Sequence, residues 1–107
     1  MARLFQVGVG SGGIIVLDLL ARDPRVTHAT IVDPDRYEAD NAFRHAFPPT
    51  SAGRLKVDLA ADWLRSFRPD LTFDAWAYDV SDRARQADLE AAVREADLGV
   101  CAVHSEP

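Results

Sequence analysis

The chain has 107 residues, of which 48% are hydrophobic and 27% are charged, so it is large enough for one small domain with an apolar core. Its formal net charge of −5 argues against nucleic acid as the main partner, because a phosphate backbone attracts basic surfaces. The one cysteine, Cys101, excludes an internal disulfide and fits a cytoplasmic protein, and no apolar run is long enough to predict a membrane span.

Strand and helix patterns alternate along the chain. Apolar runs predict strands over Leu4–Val9, His28–Val32, Leu71–Tyr78 and Leu98–Val103. Helices are predicted over Gly13–Ala21, over Ala52–Phe67, and from a cap at Asp79 or Ser81 to about Ala96, with a long loop over Asp35–Ser51. The first helix is apolar almost all round, so we expect it to pack deep against the sheet.

This alternation predicts an α/β, Rossmann-like fold. Helices that separate successive strands give a mainly parallel sheet with helices on both faces, and right-handed crossovers give the strand order 3-2-1-4. Residues 1–107 would form a single nucleotide-binding domain. The chain stops just after the fourth strand, where such a domain would continue, so we expect a truncated domain.

A glycine-rich loop follows the first predicted strand and opens the first helix. Its residues are Gly8, Val9, Gly10, Ser11, Gly12 and Gly13, which match the pattern G-x-G-x-x-G. In this context the glycines permit a tight turn, close approach of a phosphate and close packing of the helix, while the helix N-terminus offers free N–H groups to an anion. The alternative is a glycine-rich turn without a ligand, and the motif does not choose between NAD, FAD and ATP.

An acidic residue ends the second predicted strand. Asp33 lies 20 residues after Gly13, the position at which dinucleotide-binding folds carry a carboxylate that binds ribose hydroxyls. We expect Asp33 to bind ribose. The alternative is a turn, since Asp before Pro34 favours one.

Three further pieces occur in order after this strand. They are Asp33-Pro34-Asp35, then Asn41 with Arg44, then Gly53-Arg54-Leu55-Lys56-Val57. The ordered set resembles the ThiF/MoeB-type family, which includes the ubiquitin-activating enzymes, where D-x-D is followed by N-x-x-R and by a G-x-x-K that opens a helix. The resemblance runs from about Val7 to Val103.

The resemblance implies ATP binding and adenylation of a protein's C-terminal carboxylate, either that of a ubiquitin-like protein or that of a sulfur carrier. It implies that Asp33 and Asp35 belong to the nucleotide site, with Asp33 on the ribose. Asn41, Arg44 and Lys56 would contact phosphates, and Arg44 and Lys56 would stabilise the charge that develops during transfer. Without the motif, both cations could be ordinary surface charges.

The sequence departs from the family beyond the fourth strand. His104 stands where the family carries an aspartate for Mg²⁺, and magnesium takes imidazole poorly, so adenylation should suffer more than ATP binding. The paired cysteines of the family's structural zinc site are absent. Cys101 lies in an apolar strand, so we expect it in the core rather than in catalysis.

Two other functions remain open. One is an NAD(P)- or FAD-binding fragment of an oxidoreductase, which shares the glycine loop and Asp33. The other is a non-catalytic interaction subunit of the activating-enzyme family, which His104 and the early stop favour. Half a domain leaves edges and apolar faces uncovered, so we also expect a homo-oligomer.

Overall fold

The computed structural model describes residues 1–37 and 51–102. The strands are β1 (Ala2–Val7), β2 (Val26–Val32), β3 (Thr72–Trp76) and β4 (Leu98–Cys101). The helices are α1 (Ser11–Ala21), α2 (Lys56–Phe67) and α3 (Gln86–Glu95), and a short 3₁₀ turn, Arg83–Arg85, precedes α3.

The four strands form one sheet in the order β3-β2-β1-β4, and every pair is parallel. The predicted α/β class, the parallel sheet and the order 3-2-1-4 are therefore confirmed. β1 and β2 each begin two residues earlier than their apolar runs, because Ala2 at the start of β1 pairs with Val26 at the start of β2. No helix within the described ranges is long and apolar enough to cross a membrane.

Successive residues of a strand point to opposite faces of the sheet, so each face builds its own apolar cluster. On one face Leu4 and Ile31 pack with Leu17 of α1 and Leu64 of α2. On the other, a smaller cluster is centred on Phe5, Val32 and Leu89, the last from α3. The sheet therefore has helices on both faces, and its thicker layer lies beneath α1 and α2.

Helix α1 packs against the sheet as expected, but only one of its sides is buried. Ile14 and Leu17 face the core, but the side of α1 turned away from it exposes Ile15 by 62% and Leu19 by 67%. A helix that packs on a sheet and on one neighbouring helix buries only one side, whatever residues lie on the other. The apolar outer side is thus an exposed surface in the described part of the chain.

Helix α2 begins four residues later than the helical spacing predicts. Gly53 has a φ of 89°, a left-handed conformation that a helix does not contain, and Leu55 forms an antiparallel bridge with Arg36. The helix therefore begins at Lys56. This shift matters for the site, since it places Lys56 in the first turn.

Arg68 follows α2, where the next residue, Pro69, ends the helix as predicted. Its guanidinium donates hydrogen bonds to the backbone oxygens of Ala21 at 2.7 Å and Val26 at 2.8 Å. It also forms two bonds of 3.1 Å with the Asp70 carboxylate, which holds the Asp70 pKa below its ordinary value. Arg68 thereby ties the end of α1 to the start of β2.

Two local predictions about the last third of the chain were wrong. Cys101 is exposed rather than in the core, because β4 is the edge strand of the described sheet and pairs only with β1. The cap before α3 is Asp82, whose side chain accepts a hydrogen bond from the Ala84 amide at 3.0 Å and so starts the 3₁₀ turn. Val103, the predicted end of the fourth strand, lies outside the described residues.

Candidate functional site

An open cleft of about 870 Å³ lies at the carboxyl edge of the sheet. Its walls are the glycine loop, the end of β2, the start of α2 and the segment after β3. The cleft brings together the predicted residues Gly8, Gly10, Gly12, Gly13, Asp33, Asp35 and Lys56. Ser11 is the first residue of α1. Three other predicted residues, Asn41, Arg44 and His104, lie outside the described residues.

Each glycine of the loop has its own surroundings. Gly8 adopts a φ of 93°, the left-handed conformation needed for the turn out of β1. A Cβ on Gly13 would overlap the carbonyl oxygen of Gly8 and lie 3.3 Å from the Cβ of Ala102. Gly10 and Gly12 face open space, so nothing in the described chain requires a glycine at either position.

Within the residues that the structure describes, no side chain caps the start of α1. Gly10 is the N-cap, makes no side-chain cap, and no acidic residue lies in the first turn. The opening N–H groups of a helix have no intrahelical acceptors and carry a partial positive charge. This end of the helix lines the cleft, so the cleft wall is suited to an anion.

Gln6 supports the loop from below, and sequence reasoning missed it. The side chain is fully buried, and its Nε2 donates to the carbonyl oxygens of Gly8 at 2.9 Å and Gly13 at 2.8 Å. The two bonds clamp both ends of the glycine loop. The available signal was a polar residue within an otherwise apolar strand, two positions before the first glycine.

Asp33 is buried, with an exposed fraction of 6%. One carboxylate oxygen, Oδ2, accepts a hydrogen bond from the Val9 amide at 2.9 Å. The other, Oδ1, accepts from the Asp35 amide, also at 2.9 Å. Both oxygens of the residue predicted to bind ribose therefore already hold backbone N–H groups.

Asp35 and Lys56 are neighbours that both line the cleft. The Asp35 side chain is 67% exposed, whereas that of Lys56 is only 13% exposed. The Lys56 Nζ lies 4.0 Å from the Asp35 carboxylate, the outer limit of an ion pair. A largely buried ammonium in the first turn of a helix is disfavoured by desolvation and by the helix dipole, so an anionic ligand would stabilise it.

Backbone bonds also hold both ends of the segment that carries Asn41 and Arg44. Tyr37 is fully buried, its amide donates to the Arg54 carbonyl at 2.8 Å, and its carbonyl accepts from the Gly53 amide at 2.8 Å. These bonds fix Tyr37 against the residues that precede α2.

Tyr78 forms part of the wall after β3. Its ring stacks on Trp76 with centroids 5.8 Å apart, and the Arg85 guanidinium lies 5.1 Å from its centroid. The hydroxyl is buried and has no hydrogen-bond partner within residues 1–37 and 51–102. Burial raises the Tyr78 pKa above its ordinary value, so this side chain is a neutral aromatic wall at physiological pH.

The sequence model of the ThiF family matches residues 1–104 of the chain. The chain belongs to the ThiF family. Among its relatives, the ubiquitin-like modifier-activating enzyme 5 of Bombyx mori is 37% identical over 75 residues, which cover 70% of this chain and 19% of the relative. The same enzyme of Rattus norvegicus is 35% identical over 75 residues, covering 70% of this chain and 18% of that protein.

Solved structures show the same ThiF-type fold. The E. coli tRNA N6-threonylcarbamoyladenosine dehydratase TcdA, solved in complex with ATP, superposes with a TM-score of 0.83 at 22% identity, covering 97% of this chain and 42% of that one. E. coli MccB, solved with ATP, has a TM-score of 0.80 at 24% identity and coverages of 95% and 30%. The chain therefore spans a minor part of each of these proteins.

Proposed function

We propose that this ThiF-family chain binds ATP in the cleft and contributes to adenylation of the C-terminal carboxylate of a ubiquitin-like or sulfur-carrier protein. The observation that carries the proposal is that the N-terminus of α1, which has no side-chain cap in the described chain, and the largely buried Lys56 line the same cleft. Relatives named as ubiquitin-like modifier-activating enzymes and neighbours solved with ATP support it. ATP chemistry on a protein carboxylate fits the cytoplasm, which we propose as the location.

The phosphates are the part of ATP that the cleft fits best. The N–H groups at the start of α1 can bind an anion without any side chain having to be ordered. Gly10 has no Cβ that would keep a phosphate away from the backbone. Lys56, which lines the same cleft, supplies a full positive charge. Bound phosphate would satisfy both groups at once.

For the ribose, the cleft offers two carboxylates, Asp33 and Asp35. Asp35 has an exposed carboxylate at the cleft, whereas the Asp33 carboxylate is buried and bonded to two amides. A ribose diol donates two hydrogen bonds and needs an accessible acceptor. We propose that Asp33 accepts a ribose hydroxyl through lone pairs that its two amide bonds leave free, and that Asp35 lies beside it at the cleft.

The proposed reaction is attack of a carboxylate oxygen on the α-phosphorus of ATP. A new O–P bond forms, the bond from the α-phosphorus to the bridging oxygen breaks, and pyrophosphate leaves with the electron pair. Negative charge builds on the phosphate oxygens, where Lys56 and the helix N-terminus can stabilise it. By family resemblance, Asn41 and Arg44 would add donors to the same oxygens.

Magnesium is implied by the family, but the described residues do not form a site for it by themselves. They contain no group of three or more His, Cys, Asp or Glu side chains placed to hold a metal ion. Magnesium prefers oxygen ligands, and His104 is not one. We therefore assign no step to the metal.

The test of nucleotide binding is calorimetric titration of the purified protein with ATP, adenosine and NAD⁺. We expect ATP to bind more tightly than adenosine, and Lys56→Ala to weaken ATP by about ten- to a hundredfold while leaving adenosine unchanged, since a charged hydrogen bond is lost. Arg54→Ala is the matched control, because it removes a nearby cation that pairs with Asp62 at 2.7 Å. Equal affinities for ATP and adenosine, unaffected by Lys56→Ala, would refute the phosphate role. Tighter binding of NAD⁺ would favour the oxidoreductase alternative.

Pyrophosphate exchange into ATP separates binding from chemistry. A protein that binds ATP without exchange would be the non-catalytic subunit of our alternative. Because a carboxylate suits magnesium and an imidazole does not, His104→Asp should raise exchange if the metal ligand is what limits it. If His104→Asp leaves the rate of pyrophosphate exchange unchanged in a protein that binds ATP, a residue other than His104 limits the reaction.

We also propose that the protein is a homo-oligomer, for which the support is the apolar outer side of α1. Ile15 and Leu19 lie one turn apart and are mostly exposed, and Trp63, which is 37% exposed, donates a hydrogen bond to Asp18 of the same helix. Contiguous exposed apolar side chains mark association surfaces. Light scattering should show a dimer or larger assembly that Leu19→Glu dissociates. A monomer at high concentration would contradict the proposal.

A further inference from the structure

The peptide bond between Gly8 and Val9 is held from both of its sides. Its carbonyl oxygen, on Gly8, accepts a hydrogen bond from the Gln6 Nε2 at 2.9 Å. Its N–H group, on Val9, donates to the Asp33 Oδ2, also at 2.9 Å. Because the carbonyl and the N–H of a trans peptide point in opposite directions, these two bonds fix which side of the glycine loop presents an oxygen.

We propose that Gln6 is a positioning residue for nucleotide binding: its buried amide locks the Gly8–Val9 peptide and so keeps the Gly8 carbonyl oxygen away from the bound phosphates. The inference rests on the proposed ATP-binding function and deepens it. Gln6 lies beneath the loop and does not line the cleft, so it acts through the loop and not by touching the ligand.

The two neighbours of the Gln6 amide fix its orientation. Both are carbonyl oxygens, that of Gly8 and, at 2.8 Å, that of Gly13, and a carbonyl oxygen can only accept a hydrogen bond. The NH₂ end of the amide must therefore face them. Since Gly8 follows β1 and Gly13 lies in the first turn of α1, one amide group joins the end of the strand to the start of the helix.

A glycine makes this peptide easy to turn over in the absence of such a bond. Gly8 has a φ of 93° and no side chain, so it has access to a wide range of backbone conformations. Turning the peptide over would move the carbonyl oxygen to the side of the Val9 N–H, which faces Asp33 in the wall of the cleft. An oxygen there would bring partial negative charge towards an anionic ligand, whereas the orientation held by Gln6 keeps it beneath the loop.

Folding alone does not require an amide at this position. Gln6 is fully buried, and its Oε1 has no hydrogen-bond partner within residues 1–37 and 51–102. A buried acceptor without a partner is destabilising, and an apolar side chain of similar length would avoid this loss. What an apolar side chain could not supply is the pair of hydrogen bonds to the loop.

The experiment compares the affinities of Gln6→Met and the wild-type protein for ATP and for adenosine. Methionine is a flexible side chain that can fill the same space, but it donates no hydrogen bond. We expect ATP to bind about tenfold more weakly, because the loop loses the bond that orients it, and adenosine to bind as in wild type. The matched control is Thr30→Val, which removes a buried hydroxyl that bonds to His28 and not to the loop. It should leave both affinities unchanged.

Two results of these titrations would overturn the proposal. One is an affinity of Gln6→Met for ATP that equals that of the wild-type protein. The other is an equal loss of affinity for ATP and adenosine, since it would show a general structural defect and not a displaced phosphate site.

Amide hydrogen exchange tests the lock without a ligand, so it still decides if the wild-type protein binds no ATP and the proposed function fails. In Gln6→Met the Val9 amide should exchange faster than in wild type. The Gly8 amide, which donates to the Val32 carbonyl at 2.8 Å, should exchange at the wild-type rate. Unchanged exchange at Val9, or equal acceleration at both amides, would overturn the lock.

If Gln6→Met does not fold, as judged by its thermal melt, the side-chain amide of Gln6 in the wild-type protein decides. Slow exchange of both of its protons would support the two hydrogen bonds to the loop, and rapid exchange of either proton would overturn them.

Discussion

Replacing the glycines of the loop one at a time by alanine should separate folding from binding. The critical change is Gly13→Ala. The new methyl group would overlap the carbonyl oxygen of Gly8, approach its carbonyl carbon to 3.0 Å, and lie 3.3 Å from the Cβ of Ala102. The first neighbour is backbone in a left-handed turn, so it has little freedom to move away.

The magnitude follows from what each methyl group meets. Inserting one carbon into a packed interior costs about 1–3 kcal/mol, and a backbone neighbour places Gly13→Ala at the upper end, about 3 kcal/mol. Gly12→Ala meets nothing within 4 Å and lies inside α1, where alanine is favoured over glycine by about 0.5–1 kcal/mol. The same substitution one residue apart should therefore destabilise at one position and stabilise at the other.

Gly10→Ala tests the contribution of this loop position to ATP binding. Its methyl group would also meet nothing within 4 Å, and the residue has an ordinary φ of −72°, so we expect a stability change below about 1 kcal/mol. If phosphate approaches the backbone at Gly10, the added Cβ should occupy that space and weaken ATP binding with little effect on folding.

Urea unfolding followed by circular dichroism measures the three stabilities, and calorimetry measures ATP affinity. A Gly13→Ala protein as stable as the parent would refute the close packing of loop and helix described above. Normal ATP binding by Gly10→Ala would show that the phosphates do not lie against that residue.

Three further changes have defined outcomes. Arg68→Ala should lower the free energy of unfolding by about 2–4 kcal/mol in urea titration, because buried carbonyls lose a charged donor, and a loss below 1 kcal/mol would contradict this. Tyr78→Phe should leave stability unchanged or raise it by up to about 1 kcal/mol, since the hydroxyl has no described partner, and a clear loss would reveal one. Bonding to Arg25 lowers the pKa of Asp23 from 3.8 to about 2, so this stabilisation is complete above pH 3.8 and disappears as pH falls through about 2. NMR titration should show Arg25→Ala returning the Asp23 pKa towards 3.8.

The fold was predictable because local signals and chirality acted together. Four apolar runs separated by helical spacing allow few arrangements, and right-handed crossovers select β3-β2-β1-β4. The location of the cleft follows, since parallel strands bring the glycine loop and Asp33 to the same edge of the sheet. The strand starts were less predictable, because pairing with a neighbour extends a strand beyond its apolar run.

Exposure was harder to predict than secondary structure. Ile15, Leu19 and Cys101 are apolar or soft side chains in regular elements, and composition alone favours burying all three. Two lie on the outer side of α1 and one on the edge strand, so their exposure depends on what packs against those surfaces. Periodicity within a single helix or strand does not show which neighbouring elements cover it, so it does not predict this exposure.

The two aspartates show why a correct motif can still give an incomplete assignment of roles. Asp33 and Asp35 are two residues apart in an extended segment, so both are compatible with one side of it, and spacing from the glycine loop alone does not say which one faces a ligand. The fold makes the distinction, because the turn at Gly8 brings the Val9 amide within 2.9 Å of the first carboxylate and leaves the second exposed. The Val9 amide in the glycine loop needs an acceptor, and the Asp33 carboxylate supplies it. The fold therefore gives Asp33 a partner in the glycine loop that spacing alone does not predict, while both aspartates line the cleft.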